Sequence, residues 1–140
     1  MGCDVIDLIG TIRHIYQRVN QIFALVNAIL TLQETGGTIT TDGAQQDVYR
    51  VETPMGVFAP MKVLIDFSNQ TVAETVVIRT YYRINAGGGL VQKDELTYIG
   101  VVNPPLVNIE LEPNRFGIRV SMQRTVGGAF AYDWEAIFKG

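Results

Sequence analysis

The sequence holds one cysteine, one histidine and three lysines, and each scarcity removes a class of protein. A lone Cys3 rules out an internal disulfide and a thiolate metal cluster. His14 has no neighbour that could orient it as a base or a ligand, so no Ser-His-Asp set can be assembled around it. Lysine is confined to Lys62, Lys93 and Lys139, against eight arginines. Arginine tolerates protein interfaces better, because its planar fork is weakly hydrated and pairs in two-pronged fashion. A net charge of −3 leaves no basic field for phosphates, which argues against nucleic acid as the main partner.

Long apolar runs are missing as well. No 18-residue stretch lacks polar interruption, since Asn20, Gln21 and Asn27 break the best window, and a membrane-spanning helix is not expected. The opening residues carry Asp4 and Asp7 where a secretory leader would be basic. Ile6 stands where the myristoylation pattern needs Ser or Thr, so Cys3 reads as a plain terminal thiol rather than a lipid site. Without a secretory route, Asn69-Gln70-Thr71 reads as a loop that matches the glycan acceptor pattern by coincidence. With 47% hydrophobic residues over 140, the composition suits a packed core and excludes a disordered chain.

What is present begins with a strict repeat. Val5, Leu8, Ile12, Ile15, Val19, Ile22, Val26 and Ile29 are spaced three and four apart without a slip, a heptad pattern. Asp4 suits an N-cap with Asp7 in the first turn, and Thr35-Gly36-Gly37 reads as the stop. The expected helix is roughly 42 Å long at 1.5 Å per residue. Val5, Ile12, Val19 and Val26 fall at a, and Leu8, Ile15, Ile22 and Ile29 at d. Ile at both seams shifts preference towards three or four strands. The e row is apolar too, with Ile9, Tyr16, Phe23 and Leu30, and His14 sits at c, away from the seam. A helix lying on its own sheet would also show an apolar stripe. The strictness of the repeat favours self-association, with a homotrimer through residues 5–32 as the expectation.

After the glycines the period becomes two. Apolar runs rich in β-branched and aromatic residues occupy about 47–53, 57–67, 73–85, 90–102, 106–112, 115–125 and 129–139. Seven strands with turn chemistry between them read as an antiparallel β-sandwich, jelly-roll-like. Thr53-Pro54-Met55-Gly56 and Val126-Gly127-Gly128 are among those turns, and Asn103-Pro104-Pro105 is expected to carry the chain between sheets. The expected layout is therefore a long coiled-coil-like oligomerisation helix in 1–36 and a sandwich domain in 37–140. Phe116, Ile118, Val120 and Met122 alternate with polar residues, as do Phe130, Tyr132, Trp134 and Phe138. In the run from Thr75, Val76, Ile78, Tyr82 and Ile84 face one way, and Val77, Arg79, Tyr81 and Arg83 the other. Arg79, Tyr81 and Arg83 have the composition of an interface core. They equally suit a solvated sheet face with Tyr packed on Arg stems.

No convergent chemistry appears. Asp94-Glu95 and Glu110 with Glu112 are too sparse for a metal site. Gly87-Gly88-Gly89 lacks the Lys-Ser/Thr of a phosphate loop and reads as a turn. The stretch from Arg79 to Arg83 could stack bases, but the acidic total opposes it. The chain is expected to be non-enzymatic, with no catalytic residues, no cofactor and no metal.

A helical stalk followed by a compact antiparallel sandwich resembles the layout of trimeric viral structural proteins: capsid decoration proteins, turrets, minor capsid proteins and fibre heads. The heptads from Val5 to Ile29 and the seven strands carry that resemblance. It implies a virion component, assembled in the host cytoplasm, that binds a symmetric capsid lattice and stabilises it or projects from it. The rival reading is a trimeric β-sandwich module that recognises a receptor or carbohydrate through loops such as 85–89.

Overall fold

The computed structural model describes residues 2–30, 32–52 and 59–139, with helix side chains described over 7–24. The turn expected at Thr53-Pro54-Met55-Gly56, and the side chains of Cys3, Val5, Val26, Ile29 and Leu30, lie outside that set. The chain divides into two compact units, Met1–Thr31 and Leu32–Gly140.

The first unit is α1 (Gly2–Leu30). The second holds β1 (Leu32–Thr40), β2 (Gln46–Val51), β3 (Ala59–Asp66), β4 (Thr75–Arg83), β5 (Leu90–Ile99), β6 (Leu106–Glu110), β7 (Ile118–Val126) and β8 (Ala131–Lys139). These eight strands correct the expected fold class: the protein is mainly β, not a long coiled-coil helix followed by seven strands. The strand that the sequence hides is β1, where Thr35-Gly36-Gly37 has the pattern of a helix end. Those glycines serve a close strand pairing instead. A Cβ on Gly36 would stand 2.5 Å from the Trp134 carbonyl oxygen, and one on Gly37 would lie 3.5 Å from the Trp134 indole nitrogen.

The sheets run β1-β8-β3-β6 and β2-β7-β4-β5, and every pairing is antiparallel. Successive strands alternate between the sheets except at the β4–β5 hairpin, which is the order of an eight-stranded jelly roll. Asn103-Pro104-Pro105, with the first bond cis, carries the chain from β5 in one sheet to β6 in the other.

Period-two alternation sets the core. Val63 and Ile65 of β3, Val76 and Ile78 of β4, Ile118, Val120 and Met122 of β7, and Tyr132 and Ala136 of β8 meet between the sheets with almost no exposure. Burying each of the larger aliphatics contributes about 1.5–3 kcal/mol. Phe67 closes one end, its ring 4.7 Å from Tyr98 and 5.3 Å edge-on from Tyr132.

A bulge in β2 between Asp47 and Tyr49 turns both Val48 and Tyr49 inward. The Tyr49 hydroxyl is buried without a hydrogen-bond partner among the described residues, and burial pushes its pKa up to about 12. Removing an unsatisfied buried hydroxyl while keeping the ring should help the fold. Tyr49→Phe is therefore expected to raise stability by about 1 kcal/mol in a denaturant melt. A loss of similar size would show that the hydroxyl is satisfied.

Two buried polar side chains knit the loops at one end of the sandwich. Gln70 donates from Nε2 to the carbonyls of Tyr98 (3.0 Å) and Gly100 (2.8 Å), and its Oε1 accepts from the Tyr132 hydroxyl at 3.1 Å. Glu74 accepts from the Thr71 amide (2.7 Å) and hydroxyl (2.5 Å). The Thr71 hydroxyl bond is the main cause that holds the Glu74 carboxyl below its ordinary range. The Gly100 amide donates to the Glu74 carbonyl at 2.8 Å.

Candidate functional site

On α1 the described seam residues Leu8, Ile12, Ile15, Val19 and Ile22 are all exposed, as are Ile9, Tyr16 and Phe23 of the e row. Their exposure runs from 54% at Ile9 and Val19 to 67% at Tyr16. His14 is exposed on the same helix.

Arg79, Tyr81 and Arg83 lie in a row on the outer face of β4, an inner strand of its sheet; Arg79 has partners on both sides, and Tyr81 and Arg83 have theirs on the β7 and β2 side. Arg79 Nε meets Glu95 on β5 at 2.7 Å, and its Nη1 donates to Gln123 on β7 at 2.8 Å. The Tyr81 hydroxyl accepts from Gln45 Nε2 at 2.8 Å, and the Arg119 guanidinium lies 5.4 Å over its ring. Arg83 reaches the Glu52 carboxylate at 3.1 Å and the Glu52 carbonyl at 3.2 Å. Arg119 pairs with Asp47, and Arg50 bridges Asp47 at 3.1 Å and Glu52 at 2.7 Å.

Burial alone would raise the Asp47 carboxyl, but the hydrogen bonds from Arg119 and Arg50 outweigh it and hold the group below its usual value. The bond from Arg50 likewise holds Glu52 low. Half-exposed pairs of this kind contribute about 0–1 kcal/mol each. Their chief effect is to hold the guanidinium groups in place against carboxylates of the same face. Arg79, Tyr81 and Arg83 thus stand in an interlocked network of four arginines and three carboxylates.

The outer face of the other sheet brings Glu34 of β1 beside Glu135 of β8. A hydrogen bond with Glu34, followed by desolvation, raises the Glu135 carboxyl above its ordinary value. A carboxyl raised in the folded state gives its stability in the protonated form, and that contribution is lost as pH rises through the raised value. Glu135→Gln is thus expected to melt higher than the wild type at pH 7. The difference should shrink as pH falls towards the ordinary carboxylate range. Equal melting points across that window would show that the two side chains do not interact.

A groove runs where β5 and β6 form the edges of the two sheets. Lys93 pairs with Glu112 at 2.8 Å, and its ammonium lies 5.1 Å over the Tyr82 ring. The Tyr82 hydroxyl accepts from the Glu112 amide at 2.9 Å. On one side of the pair is a recess of about 420 Å³ edged by Ile84, Val91, Pro113 and Asn114. On the other is one of about 450 Å³ containing Asp94, Leu96, Asn108 and Glu110. The sequence does not reveal this groove, because Lys93 lies on β5 and Glu112 follows β6, in strands of different sheets. The carboxylates at Asp94, Glu95, Glu110 and Glu112 do gather along these edges. Among the described residues, however, no group of three or more His, Cys, Asp or Glu could hold a metal ion. Gly87-Gly88-Gly89 lies in the β4–β5 turn, where the Gly88 amide donates to the Asn85 carbonyl at 3.2 Å. Among the described residues no helix is long and apolar enough to cross a membrane.

No family model matches the chain, and no curated protein matches it. Among solved structures it is similar to the Yersinia pseudotuberculosis-derived mitogen, at 10% identity and a TM-score of 0.41, over 76% of this chain and 84% of that one.

Proposed function

We propose that the protein is a non-enzymatic structural component of a virion, a homotrimer that binds and stabilises a symmetric shell. The observation that carries this reading is the apolar stripe of α1. Five consecutive seam residues at heptad spacing, and three more beside them, expose more than half of their surface. Such a stripe needs cover from water. Its repeat fits copies of itself, and Ile at both seams favours three or four of them, of which we take three. A three-fold object on a three-fold lattice site gains avidity, since three weak contacts act together.

The test is a mass measurement in solution at two concentrations, followed by incubation with particles stripped of the protein. A three-chain mass and retention on the particles are expected. A monomer at both concentrations would end the reading.

One observation favours the second reading, a receptor- or carbohydrate-binding module. The recess edged by Ile84, Val91 and Asn114 adjoins loop 85–89 and sets an aromatic ring, Tyr82, beside charged groups. Retention of the intact protein on a glycan array, with none on particles, would put that reading first.

A further inference from the structure

The open mouth between the two sheets, where β5 and β6 are the edges, holds more negative charge than its one cation balances. A bulge in β5 shapes it. Asp94 stands opposite Thr80 and Gln92 opposite Tyr81, so Lys93 is the extra residue. Bulges re-aim a side chain, and this one sends the Lys93 ammonium across the Tyr82 ring to Glu112. The inner side of β5 is left to Asp94 and Leu96, opposite the buried Thr80 and Ile78, and to Val91, opposite Tyr82. Across the gap, β6 ends at Glu110, and Glu112 follows it.

Charge and shape together select the ligand. Asp94, Glu110 and Glu112 border the recess of about 450 Å³, and Lys93 is the one cation that borders it. Lys93 is taken by Glu112, which leaves Asp94 and Glu110 without a salt bridge among the described residues. These carboxylates do not form a group that could hold a metal ion. They suit the cation of a side chain, and Lys93 shows how one sits there, 2.8 Å from a carboxylate and 5.1 Å over a ring.

The recess of about 420 Å³ on the other side of the pair takes a different group. Its wall includes Pro113 with Ile84, 71% exposed, and Val91, 60% exposed, which suit a branched aliphatic side chain. No aromatic face in either recess is free to stack a sugar ring, because Tyr82 is buried and Lys93 lies over it. Val91 is three to five residues along β5 from Asp94 and Leu96, roughly 10–17 Å at about 3.3 Å per residue. Alternate side chains of an extended chain share a face, so two residues four apart, about 13 Å, can enter both recesses together.

We infer that the groove between β5 and β6 binds an extended segment of a partner protein, with an arginine or lysine four residues from a branched aliphatic side chain. The cation pairs with Asp94 and Glu110, and the aliphatic group covers Ile84 and Val91. This rests on the second reading above, whose recess it shares, and narrows the ligand from carbohydrate to protein.

The experiment titrates the full chain, into the millimolar range, against labelled heptapeptides of serine and threonine. Each carries one isoleucine and, four residues away in either order, one arginine; matched peptides replace the arginine by glutamate or the isoleucine by serine. Fluorescence anisotropy at low salt is expected to show at least tenfold tighter binding of the arginine peptide than of the glutamate peptide. Asp94→Asn/Glu110→Gln should weaken the arginine peptide by about tenfold, and Val91→Ser by about threefold. Both carboxylates are exposed, so the double variant should fold, which a thermal melt reports; Asp94→Asn alone repeats the test if it does not. Equal affinity for the arginine and glutamate peptides, or undiminished affinity in the carboxylate variants, overturns the inference. So does a double variant that sediments as a larger species while the wild type binds no peptide, since the charges then serve to keep the strand edges from pairing. Retention on a glycan array without peptide binding overturns the inference and leaves the second reading standing. A chain that holds neither peptide nor glycan overturns both.

Discussion

Ile15→Asp/Ile22→Asp is expected to abolish self-association and leave the sandwich folded. Both residues occupy d positions, one heptad apart, in the middle of the described helix, and both are more than half exposed in the single chain. In the proposed trimer each substitution sets three carboxylates against one another in a seam layer with no cation to pair them. An uncompensated buried charge costs several kcal/mol. Two such layers exceed what the remaining seam residues can restore. The loss should reach the helix itself, because an isolated helix draws most of its stability from packing its apolar face. The β signal and its cooperative melt should persist, since strands β1 to β8 form a compact unit of their own. Sedimentation equilibrium at two concentrations reads the mass, and circular dichroism reads both signals. A double variant with the wild-type mass would remove the stripe from any role in assembly.

The two periodicities were legible because each belongs to one element. Heptad spacing needs no knowledge of any partner, and the alternation in β4, β7 and β8 survives wherever one face is buried. β1 was not legible. Its inward side carries Gly37 where a core strand would carry an aliphatic, because the Trp134 indole fills that space. Two glycines after a helical pattern are read as a stop, and the strand pairing that explains them lies about a hundred residues away in β8. The outer network was illegible for the same reason. Arg83 with Glu52 and Arg119 with Asp47 are partners only through register, and the β2 bulge shifts that register by one residue. Composition suits Arg79, Tyr81 and Arg83 equally to an interface and to a solvated face, and only register shows which groups they bond. Asn69-Gln70-Thr71 resembled a glycan acceptor, yet Asn69 donates to the Ala131 carbonyl and Gln70 is the buried clamp beneath the loop tips.

The same clamp end carries the largest expected loss of fold stability from a single methyl group. Gly127 turns the chain from β7 into β8 at φ +89°, where an L side chain is strained by about 1–2 kcal/mol. Space is lacking as well: a Cβ there would stand 2.7 Å from the Ala73 carbonyl oxygen and 2.8 Å from the Glu74 Cα. Both obstacles are backbone, so no rotamer change relieves them, and the β7–β8 turn must move away from the 67–74 loop. That movement pulls on Glu74, whose carboxylate holds Thr71, and on the Gly100 amide that donates to its carbonyl. Strain and lost hydrogen bonds together are expected to make Gly127→Ala cost about 3–5 kcal/mol. For a unit of this size that is a fall of about 10–20 °C in melting temperature. The neighbouring position is the control. A Cβ on Gly128 would meet the edge of the Phe130 ring at 3.6 Å, an ordinary contact, and Gly128 is not among the positive-φ glycines. Gly128→Ala should therefore stay within about 1 kcal/mol of the wild type. Thermal melts of the two variants side by side decide the matter. If Gly127→Ala melts with Gly128→Ala, the β7–β8 turn has room that this packing denies it, and the loop tips are not held as rigidly as the Glu74 contacts require.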